Sequence, residues 1–68
     1  MDYKEIDRKR IMDYIASKGG ECPVADIIAE SGAESLRVYA LLFEESQAGH
    51  LTYLKESRLG APEVVKLA

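Results

Sequence analysis

Glycine and proline interrupt this chain at Gly19-Gly20, Pro23, Gly32, Gly49 and the pair Gly60 and Pro62, and nowhere else. Those breaks bound what it can fold into. The longest uninterrupted stretches, 1–18 and 33–48, both lie before Gly49 and are long enough for helices of several turns. From Asp2 to Lys18, Ile11, Tyr14 and Ile15 recur at helical spacing, with Ile6 and Asp7 a turn earlier. Glu5 precedes Lys9 by four residues and Lys9 precedes Asp13 by four, which makes each pair neighbours on a helix surface. Asp2 suits the N-cap, and Lys18 before two glycines marks a stop. Glu21-Cys22-Pro23 reads as a short extended link, because the residue before a proline is biased away from helix. Pro23 also suits the first turn of a second helix, whose inward residues are Val24, Ile27 and Ile28 and which Gly32 ends.

Glu34 or Ser35 caps a third helix that Gly49 closes. Leu51-Thr52-Tyr53-Leu54 is rich in β-branched and aromatic side chains and predicts a strand. Glu63 to Leu67 predicts another, and the loop holding Gly60 and Pro62 joins them as a hairpin. The expectation is one domain over 1–68, with helices at about 2–18, 24–31 and 35–48 and strands at about 51–55 and 63–67.

A chain of 68 residues buries little core and is marginal unless something staples it. One cysteine, Cys22, permits no internal disulfide, and one histidine, His50, leaves no zinc ligand set. Tight helix packing or self-association remains. A hydrophobic content of 47% with 31% charged residues fits a globular chain rather than a disordered one. No apolar run approaches the roughly 20 residues of a membrane span. The opening Met1-Asp2-Tyr3-Lys4-Glu5-Ile6 mixes charges, unlike a signal peptide, and with the unpaired thiol this predicts a cytoplasmic protein that does not engage membranes. No glycine-rich phosphate loop, paired carboxylates or nucleophile with a nearby base is legible, so no catalytic residue, metal or cofactor is expected. Cys22 is expected to pack inertly. His50 follows the third helix, where a cation suits the helix dipole.

The order of helix, helix, turn, helix, strand, loop and strand resembles a winged helix-turn-helix domain from about Arg8 to Leu67. Its carrying segments are RIMDYIASKGG, VADIIAESG and FEESQAGHLTYL. The resemblance implies an α+β, mostly α fold of three helices followed by a β-hairpin wing. Members of this family are mostly transcription regulators. The third helix enters the major groove and the wing touches the flanking backbone. A minority mediate protein contacts. For a duplex DNA partner, the residues to watch are Ser35, Arg37 and the wing cations Lys55, Arg58 and Lys66. Arg8-Lys9-Arg10 is the strongest basic run, but Asp7 and Asp13 flank it, and such a run reads more readily as a solvated face.

The third helix fits a DNA reader poorly. The net charge is −3, whereas affinity for nucleic acid comes largely from clustered cations. In the resemblance's register the inward positions are Val38 and Leu42, followed by Glu45, which departs from the family pattern. With about 100° per residue, Val38, Leu41 and Leu42 form one apolar stripe and Leu36, Tyr39, Ala40 and Phe43 another on the opposite side. A domain this small buries one of them and displays the other, unless the wing, the first helix or Tyr3 covers the second. Either displayed face lacks polar base-reading groups, and Glu44 and Glu45 are expected to face and repel phosphates. Val38, Tyr39, Leu41, Leu42 and Phe43 are therefore the candidates for a protein interface, and a homodimer is the expected assembly.

Overall fold

The computed structural model describes residues 2–68. Helix α1 spans Tyr3–Ser17, strand β1 Glu21–Pro23, helix α2 Val24–Glu30, helix α3 Ser35–Gln47, strand β2 Leu51–Glu56 and strand β3 Pro62–Leu67. The class is α+β: three helices and one three-stranded antiparallel sheet in the order β1-β3-β2.

Local chemistry sets the helix ends. The Asp2 carboxylate accepts from the Lys4 and Glu5 amides at 3.1 and 3.2 Å, satisfying two of the donors a helix start leaves free. At the other end the Gly20 amide reaches back to the Ile15 carbonyl at 3.0 Å, with Gly19 at φ 83°. That left-handed turn suits glycine. Glu34 caps α3 by accepting from the Leu36 amide at 3.4 Å.

The segment expected to be a plain link is a strand. Glu21, Cys22 and Pro23 pair with Lys66, Val65 and Val64 of β3. The extended bias before Pro23 was legible, but a strand is defined by its partner, and that partner lies more than 40 residues along the chain. β3 is consequently the central strand, with β2 paired on its other side. The β2–β3 register shifts around Leu54 and Lys55. Leu54 faces outward with Thr52, by the ordinary alternation of a strand whose Leu51 points inward, and it is half exposed.

The helices pack their apolar faces on this sheet. Ile11 and Ile15 from α1, Val24 and Ile27 from α2, Val38, Leu41 and Leu42 from α3, Leu51 from β2, and Cys22 and Val65 from the sheet make one buried cluster. The inward register of α3 is therefore the stripe Val38, Leu41, Leu42. This corrects part of the expected interface. Val38, Leu41 and Leu42 are core residues and offer nothing to a partner. They are the α3 stripe that packs with α1 and the sheet in the buried cluster, and this burial is what stabilises that register. Among the described residues, no helix is long and apolar enough to cross a membrane.

Candidate functional site

With one stripe of α3 buried, the other lies on the surface. Leu36 is 89% exposed, Tyr39 47% and Phe43 56%. Tyr3, itself exposed, does not cover them. The β2–β3 hairpin borders the stripe and leaves an open groove of about 570 Å³ between them. Tyr39, Phe43, Ser46 and Gln47 form its α3 wall, and Tyr53, Glu56 and the loop from Leu59 to Pro62 form the other. Leu59 at the hairpin tip is 95% exposed. A second hollow of about 320 Å³ lies between α2 and Pro62, and Tyr39 stands at the edge of both. Burial and the nearby Glu56 push the Tyr53 phenol above its ordinary pKa, so it stays neutral in the groove wall.

Beneath this face, α1 and α3 are joined by charge rather than by apolar contact alone. Glu45 occupies an inward position, and its side chain is only 7% exposed. Arg8 donates to Glu45 at 2.5 Å, to Glu44 at 3.0 Å and to Glu5 at 3.2 Å. His50 Nδ1 lies 2.6 Å from the other Glu45 oxygen. An ionised carboxylate can only accept, so Nδ1 carries the proton of that bond. Burial pushes the Glu45 carboxyl up, but the bonds from Arg8 and His50 outweigh it and hold the group below its usual range. Lys4 and Arg8 lower Glu44 likewise. The same contacts raise the Arg8 guanidinium further above its ordinary value. Among the described residues, no buried side-chain nitrogen or oxygen lacks a hydrogen-bond partner.

The expectation that Glu45 faces phosphates is thus corrected, whereas Glu44 is restrained but stays partly exposed. Glu45 points into the molecule, and Glu44 is held against α1 by Lys4 at 2.9 Å and by Arg8. Arg8-Lys9-Arg10 is no free basic patch either. Arg8 is spent on Glu45, Lys9 bonds Asp13 at 2.6 Å, and Arg10 donates to the Gly32 carbonyl at 2.9 Å.

Of the candidate nucleic-acid residues, Arg37 is the sole cation of α3, and its guanidinium bonds the buried Asp7 at 2.7 Å. Ser35 sits at the start of α3, its hydroxyl 3.5 Å from Glu34. Lys55 pairs across the hairpin with Glu63 at 3.5 Å. Arg58 is exposed at the hairpin tip and Lys66 is exposed on β3. The structure therefore gathers Tyr39 and Phe43 at one groove and leaves the five polar candidates dispersed.

Sequence reasoning missed three participants. Leu59 could have been found, because a leucine in an otherwise polar turn has no local reason to be there. Arg8 could also have been found, because a glutamate at an inward helix position requires a cation or its own protonation. Glu56 carried no signal. Cys22 is buried, and burial together with Asp26 raises its thiol above the ordinary value despite Lys18, which disfavours the reactive thiolate. Among the described residues, no group of His, Cys, Asp and Glu side chains is placed to hold a metal ion. Comparison of the chain with protein families, with curated proteins and with solved structures finds no match.

Proposed function

We propose that this chain is a small, non-enzymatic binding module of winged-helix type that docks on protein through the outward face of α3 and the groove beside it. The carrying observation is the surface placement of Leu36, Tyr39 and Phe43, while Arg37 is engaged by Asp7. A winged-helix reading is supported by the element order and by a hairpin set against α3, where a wing would stand. In such a fold α3 has the place of the reading helix. Base reading needs donors and acceptors aimed at base edges, and this stripe offers a leucine, two aromatic rings and a methyl group instead. Exposed aromatics rimmed by polar groups suit a protein contact.

A regulator-like contact with duplex DNA is the second reading, favoured by Arg58 and Lys66. Among the described residues neither is in an ion pair. Contacts from these two would grip phosphates and carry little sequence information.

Two measurements separate the readings. In a titration with a mixed-sequence duplex at low salt, the amide resonances that move should be confined to Arg58, Lys66 and their neighbours, and the effect should vanish as salt rises. A photoreactive phenylalanine analogue at position 43 should give adducts that resist nuclease and yield to protease. Saturating duplex binding at physiological salt, with shifts centred on Ser35 and Arg37, would overturn the docking role.

A further inference from the structure

We infer that the occupant of the α3 surface is the same surface of a second copy of this chain, packed antiparallel about a two-fold axis near Tyr39 and Ala40. This rests on the docking role proposed above and names its partner.

The first support is area. Leu36, Tyr39, Phe43 and Leu59 are 89, 47, 56 and 95% exposed. With roughly 200 Å² on a fully exposed large side chain, they leave about 550 Å² of apolar surface bare on the α3 face and the hairpin tip beside it. A stable interface takes about 800 Å² from each partner. These four side chains alone come to about two-thirds of that, and Ala40 and Gln47 continue the same stripe.

The second support is the order of sizes along the stripe. Leu36, Tyr39, Ala40 and Phe43 run large, large, small, large. Turned end over end about a point between Tyr39 and Ala40, the stripe complements itself. Leu36 meets Phe43 of the second copy at each end, and each Tyr39 lies over the other copy's Ala40 in the middle. The small residue permits a close axial approach of about 8 Å. A parallel pairing in register instead stacks Tyr39 on Tyr39 and leaves a gap at Ala40. Such a contact is isologous and closes on itself, as the commonest assemblies of soluble chains do.

Charge agrees with the same alignment. Arg37 and Glu44 lie on one flank of the stripe, toward α1, because both touch α1 side chains. In an antiparallel pair like flank faces like flank, so Arg37 of one copy comes beside Glu44 of the other. Both remain accessible after their contacts within the chain, with side chains 45 and 39% exposed.

The test is sedimentation of the full chain from about 1 to 300 μM, a range that spans the micromolar affinity of a modest interface. The wild type should show a reversible monomer–dimer equilibrium. Leu36→Lys and Phe43→Glu should each raise the dissociation constant at least ~30-fold, because the two-fold axis places every substitution in the dimer twice, once at each end of the paired stripes. Both residues are exposed, so circular dichroism should report an unchanged fold. An equimolar mixture of the two variants should dimerise again. One end of the mixed dimer then opposes an ammonium to a carboxylate, and the other keeps the native leucine–phenylalanine pair.

A wild type that stays monomeric overturns the inference, as does a dimer indifferent to both substitutions. A mixture no tighter than its components overturns the antiparallel alignment. A monomeric wild type whose position-43 analogue still gives nuclease-resistant adducts with another protein defeats this inference alone and leaves the docking role standing.

Discussion

Replacing Arg8 by alanine removes the cation that satisfies Glu45. Glu45 is the partner that decides the cost, because its side chain is 7% exposed, whereas those of Glu44 and Glu5 are 39 and 59% exposed and stay hydrated. Without Arg8, Glu45 keeps only His50, whose own side chain is 63% exposed. Breaking a buried ion pair from one side costs ~3–5 kcal/mol. Arg8 is itself 22% exposed, so water reaches the vacated space and the lower end applies, about 3 kcal/mol. A domain of 68 residues holds roughly 3–10 kcal/mol in all. The variant should therefore be close to marginal, with a Tm lower by about 12–24 °C.

Guanidinium chloride unfolding at pH 7, followed by circular dichroism, measures the loss. The same assay on the double variant Arg8→Met with Glu45→Met provides the control. It removes both charges and refills the space, while Glu44 keeps Lys4 at 2.9 Å, so its stability should lie within about 1 kcal/mol of the wild type. A loss below about 1 kcal/mol for Arg8→Ala would refute the reasoning, since it would mean that Glu45 is not desolvated enough to need a partner. A double variant as unstable as the single would refute it too.

The remaining predictions concern acid and the two faces of α3. Glu45 is held below its ordinary pKa when folded, so the unfolded chain takes up the proton first as pH falls. Its contribution is complete above about pH 4.3, the unfolded value, and is lost as pH drops through the lower folded one. Unfolding at pH 3 should therefore show less stability than at pH 5, and the gap between wild type and Arg8→Ala should narrow. Leu42→Ala, which empties a fully buried position, should cost ~2–5 kcal/mol. Phe43→Ser, one residue along but outward, should change monomer stability by less than ~0.5 kcal/mol, measured at concentrations too low for self-association.

Much of the architecture was legible because it is locally encoded. Glycines at 19, 20, 32 and 49 all take φ near 80–90° and end the three helices near the places the sequence marks. Asp2 caps α1 as its position implies. What local pattern could not supply was pairing at a distance. β1 is three residues long with one inward side chain, Cys22, and exists only because β3 lies beside it. The two stripes of α3 were both legible, but their ranking was not. Both are apolar, and the choice depends on which one α1 and the sheet can reach. Glu45 argued for the wrong ranking, since a carboxylate counts against burial, yet it shares the inward face with Val38, Leu41 and Leu42 because Arg8 meets it across 37 positions of sequence. The site was legible in the same measure. Tyr39 and Phe43 were among its candidates and Leu59 carried a signal that went unread, while the groove needed the hairpin's placement against α3.

The most direct measurement of the central claim is the backbone amide spectrum of the wild-type chain on serial dilution. The resonances of Leu36, Tyr39, Ala40, Phe43 and Leu59 should move together with concentration, while those of Ile11, Ile27 and Val65 stay still. A spectrum unchanged across the whole range, in a chain whose Ser35 and Arg37 amides instead respond to added duplex, would contradict it.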